Sequence, residues 1–123
     1  MGDNMTKLIN TYTLEIKKSK FIAYYYEVSN KDEIDNILEY LKKEHKKAKH
    51  IPYAYKIDNL IKKSDDKEPS NTAGTPIYNI IMQNDLNNVL ICVVRYFGGT
   101  KLGAGLLTRS YLNSAKEVIK KVE

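Results

Sequence analysis

The feature that most constrains the fold is a glycine-rich segment, residues 95–105, which lies between an apolar run and a helical pattern. Four of the six glycines fall between positions 98 and 105, and Arg95 and Arg109, the two arginines of the chain, flank them. The preceding residues, 88–94, form a nearly continuous apolar run rich in β-branched side chains, as in a strand buried on both faces. Apolar residues then recur at helical spacing, at Leu107, Tyr111, Ala115, Val118 and Val122. The segment is therefore predicted to join a central strand to a helix.

This segment also carries groups that suit a negatively charged ligand. A helix N-terminus presents unpaired N–H groups and a partial positive charge, and Arg95, Lys101 and Arg109 would add positive charge beside it. Glycine permits close backbone approach to a ligand. The same glycines would equally serve a tight turn and close strand–helix packing with no ligand. Their spacing matches neither the Walker loop nor the dinucleotide-binding fingerprint.

The rest of the chain alternates between strand and helix patterns. Strands are predicted at residues 12–16, 20–28 and 51–57, in addition to the apolar run, and a polar loop at 58–74. Asn30 and Glu33 form a capping box before a helix with an apolar stripe, and Thr75 is the predicted cap of a second helix. These elements predict a two-layer α+β sandwich in which a four-stranded sheet is covered on one face by helices.

Composition sets the class of protein. A chain of 123 residues with 42% hydrophobic and 28% charged residues is typical of one soluble globular domain. No apolar run approaches the ~20 residues of a membrane span, and nothing resembles a signal peptide. The single cysteine, Cys92, lies in the apolar run and is interpreted as an inert core thiol. We therefore expect a cytoplasmic protein without a membrane partner.

The net positive charge of the chain is small. A net charge of +5 permits contact with RNA or another acidic surface but does not establish it. The densest basic run, residues 42–49, falls at the predicted end of the first helix, where cations complement the helix dipole. We interpret that run as a helix end rather than as a nucleic-acid patch.

Several motifs together resemble the IMPACT family, whose bacterial branch comprises the YigZ-type proteins. Residues 94–105, Val-Arg-Tyr-Phe-Gly-Gly-Thr-Lys-Leu-Gly-Ala-Gly, are similar to the family signature. Residues 18–23, 48–56 and 64–77 resemble three further family motifs in the same order. The sequence departs from the family pattern at Lys56, which replaces an arginine, and at Lys67 and Asn71, which replace glycines.

The resemblance implies a fold and a domain organisation. It implies a fold like domain 2 of ribosomal protein S5, of order βββαβα with an extra helix before the third strand. Residues 1–123 would form the N-terminal IMPACT domain alone. The ferredoxin-like domain that follows it in YigZ-type relatives is expected to be absent from this sequence.

Candidate polar groups flank the motifs. The acidic residues Asp65, Asp66 and Glu68 could hold a metal, form turns or pair with the arginines. His50 could carry a proton or act only as a hydrogen-bonding residue. With no evident nucleophile–base pair, the sequence predicts no catalytic residue, no metal site and no cofactor.

Three functions stay open. The leading hypothesis is a non-enzymatic binding module linked to translation through RNA, the ribosome or an acidic protein partner, as the family resemblance implies. The alternatives are a nucleotide- or phosphate-binding enzyme that uses the loop at 98–105, and a protein–protein adaptor without a nucleic-acid role. The candidate binding residues are Lys18, Lys20, His50, Lys56, Arg95, Gly98, Gly99, Lys101, Gly103, Gly105 and Arg109.

Overall fold

The computed structural model describes residues 7–120 as five strands and three helices. Along the chain these are β1 (Leu8–Ile16), β2 (Ser19–Glu27), α1 (Lys31–Glu44), β3 (Tyr53–Ile57), β4 (Leu60–Ser64), α2 (Gly74–Gln83), β5 (Val89–Tyr96) and α3 (Ala104–Val118). Every strand and helix that the sequence predicts is confirmed. Val122, the last residue of the predicted stripe on α3, lies outside the described residues.

The sheet has five strands rather than the four predicted. Its order is β1-β2-β5-β3-β4, and every neighbouring pair is antiparallel. The missed strand is β4, which occupies part of the segment predicted as a loop at 58–74; it follows β3 through a two-residue turn and lies at the sheet edge. Four of its five residues are exposed, so no buried face imposes the alternating pattern by which strands are recognised.

Helices cover both faces of the sheet, so the prediction of helices on one face is wrong. Buried residues of α2 and α3 pack against Phe21, Ala23 and alternate residues of β5, whereas α1 packs against the opposite face of β2, β3 and β5. Strand β5 is buried along its first seven residues because both layers contact it. The apolar run at 88–94 correctly predicted this two-sided burial, which a single helical layer does not produce.

The N-termini of α1 and α2 test the helix caps that the sequence predicts. The Asn30 side chain accepts a hydrogen bond from the Glu33 backbone N–H, and Glu33 accepts one from the Ser29 N–H. The predicted cap of α1 is therefore confirmed, although the return bond reaches Ser29 instead of Asn30. Helix α2 begins at Gly74 and has no side-chain bond from its N-cap residue, so the prediction that Thr75 caps it is wrong.

Two connections meet at the C-terminal end of β5. The turn between β1 and β2 lies there because Lys20 pairs with Tyr96 across the sheet. The segment between α1 and β3 lies there because the Lys49 N–H donates to the Arg95 carbonyl, and His50 forms an isolated bridge with Arg95. This end of the sheet therefore gathers most of the candidate functional residues.

Candidate functional site

A buried ion pair occupies the end of β5. Nη1 of Arg95 donates to both carboxylate oxygens of Glu68, at 3.1 and 2.8 Å. Both side chains are nearly inaccessible, with 6% and 2% of their surface exposed. The Tyr111 hydroxyl also donates to Glu68. Burial, followed by the negative charge of Glu68, raises the pKa of Tyr111. Arg95 is thus committed to an internal carboxylate, and almost none of its surface is left for an external anion.

The acidic loop is tied to the fold by its own side chains. Asp65 accepts hydrogen bonds from the backbone N–H groups of Asn71, Ala73 and Gly74. It thereby caps α2 from the preceding loop, in the role predicted for Thr75. Asp66 accepts from the Ile51 N–H at 2.7 Å. These contacts favour the structural alternative for the acidic residues.

The loop keeps the backbone conformation that glycine favours. Asp66 and Lys67 have φ angles of 44° and 71°, and Asn71 has a φ of 64°. Lys67 and Asn71 are the two positions at which the resembled family carries glycine, so the left-handed conformation is retained without it. Asparagine tolerates this region better than lysine does, since its short polar side chain can hydrogen-bond locally.

His50 completes the polar cluster. Its Nδ1 lies 2.7 Å from the Asp66 carbonyl oxygen, which can only accept, so Nδ1 carries the proton. Its Nε2 lies 3.6 Å from Glu68 Oε1. The cluster therefore consists of one arginine, one glutamate, one tyrosine and this histidine, joined to the loop backbone. Within residues 7–120, no group of three or more His, Cys, Asp and Glu side chains is arranged to hold a metal ion.

The two arginines do not converge on one anion. Arg109 is exposed on α3 and lies two positions before the buried Tyr111, about 200° away around the helix. Lys101 is also exposed, and neither residue forms an ion pair with any part of the chain that the structure describes. The three cations that the sequence suggested for one anion are therefore divided between the buried Arg95 and the separate, exposed Lys101 and Arg109.

The four loop glycines fall into two kinds. A Cβ on Gly98 would lie 2.1 Å from the Lys18 carbonyl carbon, and Gly99 has a φ of +92°. Both therefore serve the turn and its packing against the β1–β2 connection, where the Gly98 N–H also donates to Ser19. A Cβ on Gly103 would meet nothing within 4 Å, and one on Gly105 would make only an ordinary contact with Arg109. The fold gives no packing reason for glycine at these last two positions.

Lys56 lies away from the other candidates. It pairs with Val89 at the start of β5, while Lys20 pairs with Tyr96 at the end of that strand. Seven residues of strand separate the two ends by about 23 Å. The Nζ of Lys56 instead donates to Asn87 at 3.2 Å. Lys56 and Arg95 therefore do not belong to one binding site.

A basic surface surrounds the end of β5, and we call it the basic end. Gly98 packs on the turn that carries Lys18, and Lys49 lies 5.6 Å above the ring of Phe97, which is 46% exposed. The turn after α1 adds further lysines next to His45, which contacts Tyr96. The basic end comprises the exposed side chains Lys17, Lys18, Lys20, Lys46, Lys47, Lys49, Phe97 and Lys101.

The basic end is poor in compensating carboxylates. None of its lysines is in an ion pair with a residue of the described range. The exposed acids beside it are Glu15, which stands opposite Lys20, and Glu44 at the end of α1. The sequence did not mark Lys49 as a candidate because the run at 42–49 was assigned to the helix dipole, and it did not mark Phe97 because attention in the 95–105 segment fell on its glycines and cations. The topology brings that run to the same end of the sheet as the other lysines.

A second polar network was not foreseen. The ring nitrogens of His45 lie 2.8 Å from the Tyr24 hydroxyl and 2.6 Å from the Tyr96 hydroxyl. Burial lowers the pKa of His45 and outweighs the opposite influence of Glu44. The neutral ring can satisfy both contacts, with one nitrogen donating and the other accepting. Cys92 is fully buried, and burial raises its thiol pKa, as expected for an inert core residue.

Comparison with known proteins identifies the family. Residues 17–119 match the model of the Impact N-terminal domain. The chain belongs to the IMPACT family. It is 39% identical over 109 residues to the IMPACT family member YvyE of Bacillus subtilis, covering 86% of this chain and 50% of that protein. It is 30% identical over 117 residues to YigZ of Escherichia coli, covering 91% of this chain and 57% of that protein.

Solved structures share this IMPACT fold. A crystal structure of a hypothetical protein matches with a TM-score of 0.85 at 30% identity, covering 92% of this chain and 59% of that chain. The two-domain translational regulator Yih1 matches with a TM-score of 0.54 at 24% identity, covering 89% of this chain and 46% of that chain, and this likeness shows the fold alone. The chain spans about half the length of the curated relatives named above.

One observation bears on membranes. Among residues 7–120, no helix combines the length and the apolarity that crossing a bilayer demands.

Proposed function

We propose that this IMPACT domain is a non-enzymatic binding module that acts in translation and contacts RNA through the basic end. The observation that carries the proposal is the concentration of exposed lysines, none of them in an ion pair with a described residue, at the end of β5, where Lys49 lies over the half-exposed ring of Phe97. Lysines neutralise phosphates, and an exposed aromatic ring offers a surface on which an unpaired base stacks. Single-stranded RNA, such as a loop of a structured RNA, presents both groups together.

The link to translation comes from the relatives. Yih1, which shares the fold, is described as a translational regulator. Fold likeness does not by itself transfer a function, so the proposal depends on the surface for RNA and on the family only for the cellular process. A phosphate-binding enzyme is less well supported, because Arg95 is occupied by Glu68 and the loop lacks a nucleotide fingerprint.

The test is the affinity for a labelled single-stranded RNA of about twelve nucleotides over a salt series. Counterion release makes the logarithm of affinity fall with the logarithm of salt, by about 0.7 per phosphate contact on a single strand. A Lys18→Gln/Lys20→Gln/Lys49→Gln variant should therefore bind more weakly, with a slope shallower by about 2.

A matched control removes the same charge elsewhere. The Lys56→Gln/Lys62→Gln/Lys63→Gln variant alters exposed or half-exposed lysines on β3 and β4, away from the basic end, and should leave RNA affinity nearly unchanged. Phe97→Ala should weaken binding by about 1–3 kcal/mol, and Phe97→Tyr should not. Equal losses in the two triple variants, or no binding at low salt, would contradict the proposal.

A further inference from the structure

The strand β4 is an open sheet edge. Among the described strands, β4 has a neighbour on one side only, namely β3. The pair Ile57–Leu60 closes a two-residue turn, so hydrogen-bonded pairs recur at Leu60, Lys62 and Ser64. The backbone N–H and C=O groups of Ile61 and Lys63 therefore point outward. Such groups form a template for an additional strand.

Exposed apolar side chains flank this edge on both faces of the sheet. Leu60 and Ile61 retain 45% and 42% of their surface, which is high for aliphatic residues. Met82, which is also 45% exposed, lies one turn after Tyr78 on α2, and Tyr78 contacts Lys63 of β4. Gly74 packs against the backbone of Ser64 and Tyr78 against Lys63, so α2 runs opposite to β4 and its next turn, with Met82, is on the side of Ile61. An added strand would find apolar contacts on each side of the edge.

The lysine side chains of β4 do not cover the outward backbone groups of this strand. Edge lysines commonly block unwanted pairing, but Lys62 lies over the ring of Tyr53 at 6.0 Å and Lys63 over that of Tyr78 at 5.3 Å. Both side chains thus turn back over the protein. Neither forms an ion pair with a described residue. Both charges remain available to a carboxylate on an approaching chain.

The same charges select the partner. A second copy of this chain could pair antiparallel through β4 with the pairing centred on Lys62. Lys62 of one copy would then stand opposite Lys62 of the other, and like charges directly opposite are destabilising. An extended segment with two adjacent acidic residues beside two adjacent β-branched residues would instead match Lys62 and Lys63 with the acids, and Leu60 and Ile61 with the apolar side chains. The exposed acids nearby are Asp58, which is bonded to Asn87, and Asp85 after α2.

We propose that the β4 edge is a docking site for an extended acidic segment of a partner protein, which adds to the sheet as a sixth strand. This is β-augmentation, in which main-chain hydrogen bonds give affinity and alternate side chains give specificity. The site lies at the sheet edge and is separate from the basic end. It is therefore independent of the RNA proposal.

The probe is a labelled eight-residue peptide in which two adjacent acidic residues stand beside two adjacent valines. Because neighbouring strand residues face opposite sides of a sheet, the acids can then lie opposite Lys62 and Lys63 and the valines opposite Leu60 and Ile61. Its affinity would be measured by fluorescence anisotropy, and amide exchange of the protein would be followed by NMR. At a peptide concentration about ten times the dissociation constant, exchange of the Ile61 and Lys63 amides should slow by about tenfold. A matched peptide with lysine in place of the acids should bind far more weakly.

Two variants and one control complete the test. Lys62→Glu/Lys63→Glu should weaken binding of the acidic peptide by about tenfold or more. Ile61→Pro removes an outward N–H that β3 does not use, and should also weaken it. Lys42→Glu/Lys43→Glu, an equal charge change on exposed residues of α1, should leave it unchanged.

Several outcomes would overturn the proposal. These are no binding at millimolar peptide, equal binding of the lysine peptide, unchanged exchange at Ile61 and Lys63, or a dimer in sedimentation that Lys62→Glu/Lys63→Glu abolishes. Loss of RNA binding in the basic-end variant leaves the peptide result unaffected, so the two proposals fail separately.

Discussion

At the scale of single residues, Glu68 is the position on which the candidate site depends most. It accepts from Arg95 and Tyr111 within the protein interior. Glu68→Gln would leave a buried guanidinium without a counter-charge, and we expect a loss of about 3–5 kcal/mol in the free energy of unfolding. Urea denaturation would measure this. Replacing both partners, as in Arg95→Met/Glu68→Leu, should cost less than Glu68→Gln alone. A loss below about 1 kcal/mol for Glu68→Gln would show that the pair is not buried as described.

A second residue-scale prediction concerns Lys67. Its φ of 71° places a long side chain in a conformation that costs an ordinary residue about 1–2 kcal/mol. Lys67→Gly should therefore stabilise the protein by up to about 1 kcal/mol, after the greater chain entropy of glycine in the unfolded state is subtracted. The control is Asn71→Gly, where we expect a smaller gain. Destabilisation by Lys67→Gly would indicate that the lysine makes a compensating contact.

His45 gives a prediction on pH. Its folded pKa is lowered by burial, so the unfolded state binds the proton more readily. Stability should fall as the pH drops through the ordinary histidine range, near 6.5. His45→Gln should flatten this part of the curve of unfolding free energy against pH, measured between about pH 7.5 and 5.5 relative to the parent protein. An unchanged curve would mean that His45 is not responsible.

At the scale of elements, the start of α2 shows how a loop can cap a helix. The cap is Asp65, eight residues before Ala73, whereas sequence rules look for it immediately before the helix. Asp65→Ala should destabilise the protein by about 1–2 kcal/mol. Thr75→Ala, at the position predicted from sequence, should cost under about 0.5 kcal/mol. Thermal unfolding of both variants would check this, and the reverse order would contradict the assignment.

The elements also show what sequence can and cannot predict here. The apolar run of β5 and the stripes of α1 and α3 were recognisable because burial imposes a period on the sequence. Strand β4 was not, because its residues are mostly exposed and its edge position removes that constraint. The placement of α1 on the face opposite α2 and α3 depends on which side each connection crosses. Local sequence patterns do not predict on which face of the sheet a helix lies.

Part of the candidate site could be predicted because its residues lie in recognisable sequence motifs. The residues around Arg95, including Glu68 and His50, were singled out from the sequence, and the structure does bring them together. The sequence did not predict that Arg95 points inward, because its planar guanidinium group would bind an external anion equally well. The contact between Lys49 and Phe97 depends on two segments distant in sequence coming together, and local sequence patterns do not predict such contacts.

At the scale of the whole molecule, the domain presents two surfaces of different chemistry. The basic end offers exposed lysines around an aromatic ring, while β4 offers an open edge with apolar side chains and two lysines. The polar cluster of Glu68, Arg95 and Tyr111 lies inside, and holds the acidic loop against the sheet. We infer that this cluster gives rigidity to the basic end rather than contacting a ligand itself.

The most direct test of this account is a map of backbone amide shifts in the isotope-labelled protein during titration with the single-stranded RNA. We predict that the amides of Lys18, Lys20, Lys49, Phe97 and Lys101 move together, while those of Lys56 and of β4 stay in place. Shifts confined to β4 or to the α2 and α3 surface, or no shifts at low salt, would contradict the assignment of RNA binding to the basic end.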